Sequence, residues 1–208
     1  AISDTTQMIF LCSPNSPTGN LLDTGEIESI VQIFDGIVVV DESYIDFVPQ
    51  ATVIGLLNKY KNLVVLRSFS HAWALAGLNL SAIIAHPDII CNIAKIALSH
   101  PINTITINAA LEMTKNRLDI DKWTRQIIDE RTKVQIALKD IPECEHIYHS
   151  DANFLLVKFS NSASIYKDLL KNGIAVHPVM GCLRLTIGLP QDNSALLGAL
   201  RRRNNSNK

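Results

Sequence analysis

The sequence predicts an α/β protein: a mostly parallel sheet with helices on both faces, followed by a small α+β unit. Two observations carry that reading. Through the first half, short apolar runs rich in β-branched residues alternate with segments of helical spacing, as in strand–helix–strand units. After a largely helical middle, two more apolar runs, near Asn153–Phe159 and Leu183–Ile187, stand between helical segments.

Met8–Cys12 opens the pattern as a strand bounded by turn residues. Asp23–Phe34 reads as a helix, with Ile27, Ile30, Val31 and Phe34 at helical spacing and acids early in the run. Ile37–Asp41, Leu63–Arg67 and Leu80–Ala85 repeat the strand signal, and continuous apolar character suits strands buried on both faces. From Asp88 to Asp140 the pattern is helical, interrupted near Pro101, giving two helices and a long connector of about Asp119–Leu138. The two late strands are joined by helices expected near Ala163–Asn172 and Asn193–Arg202. Pro142 and the polar stretch Glu143–Asp151 break the connector, so residues 1–140 are expected as a large domain and 141–208 as a small one. There is no internal repeat and no low-complexity segment.

Bulk properties narrow the function classes. At 208 residues, 47% hydrophobic and 19% charged, the chain can bury an ordinary globular core. A net charge of −1 gives no global attraction to nucleic acid or anionic lipid, and Arg201-Arg202-Arg203 reads as a solvated helix end. Cys12, Cys91, Cys144 and Cys182 are widely spaced, which favours reduced thiols over a disulfide framework. No apolar run approaches the ~20 residues that span a bilayer, and no secretory pattern is present, so the cytoplasm is expected. His146 and His149 lie three apart, but in a polar, loop-like stretch, so no metal site is expected.

Four ordered motifs carry a resemblance. They are Phe10-Leu11-Cys12-Ser13-Pro14-Asn15-Ser16-Pro17-Thr18-Gly19, Ile37-Val38-Val39-Val40-Asp41-Glu42-Ser43-Tyr44, Ser68-Phe69-Ser70-His71-Ala72-Trp73-Ala74-Leu75-Ala76-Gly77-Leu78 and Gly181-Cys182-Leu183-Arg184-Leu185-Thr186-Ile187-Gly188. Together they resemble the fold-type-I pyridoxal-phosphate aminotransferases, in wording most like the histidinol-phosphate branch. The resemblance runs from about Met8 to about Arg202. Relatives carry a long portion before the Pro-Thr-Gly turn, so this chain is expected to be a fragment or a shortened product. It would then expose a sheet edge and part of its core, with poor solubility or dependence on a partner.

The resemblance implies pyridoxal 5'-phosphate as cofactor, and roles for particular residues. Asp41 would pair with the protonated pyridine nitrogen and keep the ring an electron sink; the residues alone also allow a strand-end carboxylate that caps a helix or is exposed. Tyr44 would hydrogen-bond the cofactor's phenolic oxygen, where an isolated tyrosine would be plain packing. Ser68 and Ser70 would bind the phosphate, or serve only as turn and cap residues. Arg184 would grip the substrate α-carboxylate with its planar fork, or form a surface ion pair.

Three departures alter that site. His71 stands where the family has the lysine that tethers the cofactor as a Schiff base. That bond needs a primary amine able to lose two protons to one carbonyl, and an imidazole offers none. Ser16 replaces the asparagine that reaches the phenolic oxygen, and Asn79 replaces an arginine that neutralises the phosphate. The expected function follows: related to glutamate–imidazole-acetol phosphate transamination in histidine biosynthesis, inactive or very weak as written, with any cofactor held weakly and non-covalently. His71 could still serve as a general base near neutrality. Alternatives are an enzyme whose missing parts come from elsewhere, or a non-catalytic partner. A homodimer, or a dimer with an intact homologue, is the expected assembly.

Overall fold

The structure, a computed structural model, describes residues 2–98 and 102–206. The interruption expected at Pro101 lies outside the described residues. Two compact units emerge, one of residues 2–15 and 21–122, the other of 16–20 and 123–206.

The first unit begins with β1 (Met8–Cys12), α1 (Thr24–Ile33) and β2 (Ile37–Asp41). Three short 3-10 turns then lead to β3 (Leu63–Ser68), β4 (Ser81–Ala85), α2 (Pro87–Ala94) and α3 (Thr104–Lys115). The sheet order is β1-β2-β3-β4, with the first three strands parallel and β4 antiparallel to β3. This is the mostly parallel α/β sheet that the apolar runs predict. Helix α1 starts where Asp23 accepts bonds from the N–H groups of Gly25 (2.9 Å) and Glu26 (3.0 Å). Its Ile27 and Val31, one turn apart, are buried with Val38, Val40, Leu63 and Val65 of the sheet.

Helix α4 (Arg117–Leu138) runs from the first unit into the second, so the division falls inside it and not at the 140/141 boundary expected from Pro142. In the second unit, β5 (Cys144–Ile147), β6 (Phe154–Phe159), α5 (Ser162–Lys171), β7 (His177–Val179), β8 (Cys182–Thr186) and α6 (Pro190–Ser206) follow. Its sheet, ordered β5-β6-β8-β7, is antiparallel throughout. Leu155 and Val157 of β6 and Leu183 and Leu185 of β8 pack with Ile165 of α5 and Leu200 of α6.

Two strands, β5 and β7, lie outside the apolar runs. Both are short and largely exposed edges, so their sequences carry no burial signal. The β7–β8 connection is a two-residue turn, Met180-Gly181, with both residues at positive φ (51° and 74°). Such turns favour Asn-Gly, and methionine at the first position hides the hairpin from a sequence reading. Arg203 closes this unit: Nε donates to Glu143 Oε1 (3.0 Å), Nη2 donates to Ser164 Oγ (2.9 Å), and Nη1 pairs with Asp168.

One buried charge decides the end of β2. Glu42 is 1% exposed. Its Oε1 accepts from the Val53 N–H (2.7 Å) and its Oε2 from Thr52 Oγ1 (2.8 Å). Arg67 Nε lies 2.9 Å from Oε2, with its N–H not aimed along a hydrogen bond, so Coulomb attraction carries that contact. Burial pushes the Glu42 carboxyl upward, against the lowering by the Val53 N–H and by Arg67. Glu42→Ala strands Arg67 and the Val53 amide, and is expected to lower the urea-unfolding free energy by about 3 kcal/mol, with Glu42→Gln losing clearly less.

Candidate functional site

The carboxyl ends of β2 and β3 gather six of the sequence-predicted residues into the first unit. In parallel α/β sheets this is where ligands collect. Asp41, the last residue of β2, accepts from the N–H (2.9 Å) and Oγ (2.5 Å) of Ser43, both on Oδ1. Its Oδ2 accepts no bond among the described residues. Cys12 sits beside it in register, and burial first, then the Asp41 charge, push its thiol pKa up, so it stays a thiol.

Tyr44 and His71 are brought together. Their rings stack with centroids 4.0 Å apart and planes 19° from parallel. Ser68 and Ser70 also meet, since Ser68 Oγ accepts from the Ser70 N–H (3.1 Å). Here the serine hydroxyl shapes the turn that starts the segment, and its own proton remains to be donated.

Residues 69–79 form an irregular loop. Its one regular piece is a 3-10 turn at Ala76–Leu78, and Asn79 ends that turn in the left-handed region (φ 47°). Asparagine tolerates that region better than arginine, so Asn79 fits its backbone whatever it does for an anion. The loop is anchored by Trp73, whose Nε1 donates to Asp46 Oδ2 (3.2 Å) and whose ring lies 5.1 Å beneath the Arg117 guanidinium. Trp73, Asp46 and Arg117 were not singled out by the sequence. A tryptophan two residues past the tether position was the available signal for the first of them.

Ser16 and Arg184 lie together in the second unit. The segment 16–20 belongs there because the Asp151 N–H donates to the Gly19 carbonyl (2.8 Å). Arg184, on β8, donates from Nη1 to Ser16 Oγ (3.1 Å), and its guanidinium covers the Phe154 ring at 4.8 Å. Its Nε is buried without a hydrogen-bond partner among the described residues. A guanidinium so held keeps donors for a carboxylate while its plane is fixed by the aromatic face.

The fit to a pyridoxal-type group is therefore partial. Asp41 Oδ2 can face a pyridinium nitrogen, and the Ser68–Ser70 turn offers a hydroxyl to a phosphate. The side chain at 71 offers no primary amine, so a covalent tether does not fit. Elsewhere, His146 packs edge-on to Tyr148 (4.5 Å) and His149 pairs with Asp151 (2.9 Å), each occupied separately. Among the described residues no three His, Cys, Asp or Glu side chains converge as a metal site. None of their helices is long and apolar enough to cross a membrane.

The description of the class I and II aminotransferases matches residues 1–200. Histidinol-phosphate aminotransferase from Parabacteroides distasonis is 40% identical over 202 residues, covering 94% of this chain and 59% of that protein. Among solved structures, the histidinol-phosphate aminotransferase from Clostridium acetobutylicum superposes with a TM-score of 0.90 at 22% identity, over 98% of this chain and 65% of that one. The enzyme from Sinorhizobium meliloti, solved in complex with pyridoxal-5'-phosphate, gives 0.87 at 21% identity, over 99% and 59%. At those identities the two structures speak to the fold alone. The chain spans about three-fifths of the length of such relatives.

The placement of Ser16 rests on Gly19. At φ +83° it occupies the left-handed region, and a Cβ there would lie 2.1 Å from Ser150 Oγ. Gly19→Ala is expected to cost about 1–3 kcal/mol in thermal or urea unfolding, because both the backbone and the contact resist it.

Proposed function

Because this chain belongs to the class I and II aminotransferase family, we propose that it is a relative of histidinol-phosphate aminotransferase that does not transaminate at a useful rate. The observation that carries this is the imidazole of His71 at the position of the family's tethering amine. The ancestral reaction in this reading exchanges an amino group between glutamate and imidazole-acetol phosphate. When bound, pyridoxal phosphate supplies an electron sink for the carbon that bears the amino group.

The chain's own residues then do only part of the work. Asp41 holds the ring nitrogen protonated through Oδ2, while Ser43 fixes the carboxylate's other oxygen. Tyr44 bonds the phenolic oxygen, its ring braced by His71. Ser68 and Ser70 contact the phosphate without the cation that the family places at 79. Losing the cation of such a charged pair weakens an anion site by roughly 2–5 kcal/mol. Arg184 orients the substrate carboxylate, with Ser16 as its resting partner. His71 has the acid–base range of a proton carrier but cannot hold the aldehyde.

A second reading is supported by the chain's coverage of only 59% of a relative's length. Here the chain works with polypeptide supplied elsewhere, as a homodimer or as the non-catalytic partner of an intact homologue, in the cytoplasm. The two compact units are the large cofactor-binding domain and the small domain in either case.

Cofactor retention and turnover separate these readings. Pyridoxal phosphate should wash off the purified chain on gel filtration, and borohydride should fix none of it at residue 71 in a peptide map. The double variant His71→Lys with Asn79→Arg should retain absorbance and carry a borohydride-fixed adduct at residue 71. Glutamate-dependent turnover should be at least roughly 10²-fold slower in the parent than in that variant, the lower end of what a positioned acid–base group contributes. Brisk turnover by the parent chain alone would sink the first reading. Turnover that appears only with an intact homologue would favour the second.

A further inference from the structure

The end of β2 is short of positive charge. Arg67, the cation that enters from β3, is held by Glu42, with Nε 2.9 Å from Oε2. Asp41 has no ion pair among the described residues: both bonds of its Oδ1 come from Ser43. Asp46 is likewise without an ion pair among the described residues, and its Oδ2 accepts from Trp73 Nε1 of the loop. Arg117, over the Trp73 ring, pairs with Asp121 at 2.9 Å.

No primary amine is at hand either. Residues 8–15, 41–47 and 67–79, the strand ends and the loop of this site, contain no lysine. At 71 an imidazole stacks on Tyr44, and a neutral imidazole carries an acceptor nitrogen that an ammonium lacks. Cys12 stays a thiol, because burial and the Asp41 charge push its pKa up, so it supplies no nucleophile in place of the amine. The two forms of the cofactor differ at one substituent. Pyridoxal 5'-phosphate carries an aldehyde there, and pyridoxamine 5'-phosphate an aminomethyl group that is an ammonium near neutral pH. Phosphate, ring nitrogen and phenolic oxygen are common to both. The missing cation at 79 and the contact of Asp41 with the ring therefore cancel when the two are compared.

We infer that this site selects the amine form, pyridoxamine 5'-phosphate, over the aldehyde form, an inference that rests on the cofactor placement of the function proposed above. Residue 71 is the group that tells the two apart. A lysine there stabilises the aldehyde form by a covalent bond and sets its own positive charge against the ammonium of the amine form. The imidazole of His71 does neither. It offers the aldehyde no bond, and in its neutral form it accepts a hydrogen bond from the ammonium. Asp41 adds a negative charge that no neighbouring cation cancels, so the extra positive charge of the amine form is favoured. One charge-assisted hydrogen bond in such a place is enough for a preference of about tenfold or more.

The test is equilibrium dialysis of the 208-residue chain at neutral pH. The ligands are pyridoxamine 5'-phosphate, pyridoxal 5'-phosphate and 4-deoxypyridoxine 5'-phosphate, which carries a plain methyl at the same carbon. Surface lysines take up the aldehyde, so its occupancy of the site is read as competition against the amine form. The expected result is that the amine form binds at least about tenfold tighter than either competitor. His71→Gln, which has an acceptor and no primary amine, should keep that order, and His71→Lys should put the aldehyde first, with circular dichroism showing that both variants stay folded. An amine form that binds no tighter than the methyl compound overturns the inference, as does an order that His71→Lys leaves unchanged. Failure of all three ligands to bind at millimolar concentration also overturns it and leaves the proposed lack of turnover standing. Brisk glutamate-dependent turnover by the parent chain is the separate result that sinks the proposed function.

Discussion

Consecutive carboxylates at the end of a strand must face opposite ways, and this constraint organises the first unit. Strand alternation sends Asp41 to the face of Cys12 and Glu42 to the face of Val40 and Arg67. The inward one would be intolerable alone; Arg67, Thr52 and the Val53 amide make it a fixed point. With Glu42 pinned, Asp41 has its direction imposed and the turn to Tyr44 starts from a defined place. A hydrophobic residue at 42 with a matching change at 67 could hold the strand as well, since buried ion pairs seldom add net stability. It would not also draw in residues 52–53, and the ion pair specifies more than it stabilises.

The site built on that strand end is locally self-consistent without a cofactor. Ser43 takes one oxygen of Asp41, Ser68 takes the Ser70 amide, and the Tyr44 and His71 rings cover each other. Asn79 relaxes into a left-handed position that arginine would occupy at a cost. Each departure from the family pattern thus has a local structural outlet. A lysine at 71 could not stack on Tyr44 as a flat ring does, so the exchange of residue also exchanges a reactive group for a packing one.

Much of this was legible in the sequence, for reasons that are physical. Every strand of the first sheet announced itself as a short apolar run; Ile37–Asp41, whose three valines are buried, is the clearest case. The Asp23 cap and the Ile27–Val31 stripe did the same for α1. Edge strands β5 and β7 were silent, since half-exposed residues such as Glu145 and His177 obey no burial rule. The division within α4 was invisible because a continuous helix has no local break to read. Among candidate site residues, the family resemblance pointed to Asp41, Tyr44 and His71. The stacking of the last two, and the contacts of Trp73 with Asp46 and Arg117, join residues 27 to 44 positions apart, which no local pattern encodes.

The motifs that survive here can be sorted by what they do for the fold. Gly19 admits the close approach of Ser150, Glu42 binds Arg67, Gly181 completes a two-residue turn, and Asp41 tethers Ser43. All four would be needed by a chain that never met a cofactor. The positions that differ from the family pattern, 16, 71 and 79, are among those to which the resemblance assigns a cofactor contact. A match in the Asp-Glu or Pro-Thr-Gly stretches therefore argues for the architecture and says little about turnover. Only a group with no structural reason to exist, such as a primary amine aimed from a loop after β3, would argue for catalysis, and at that position this chain carries an imidazole.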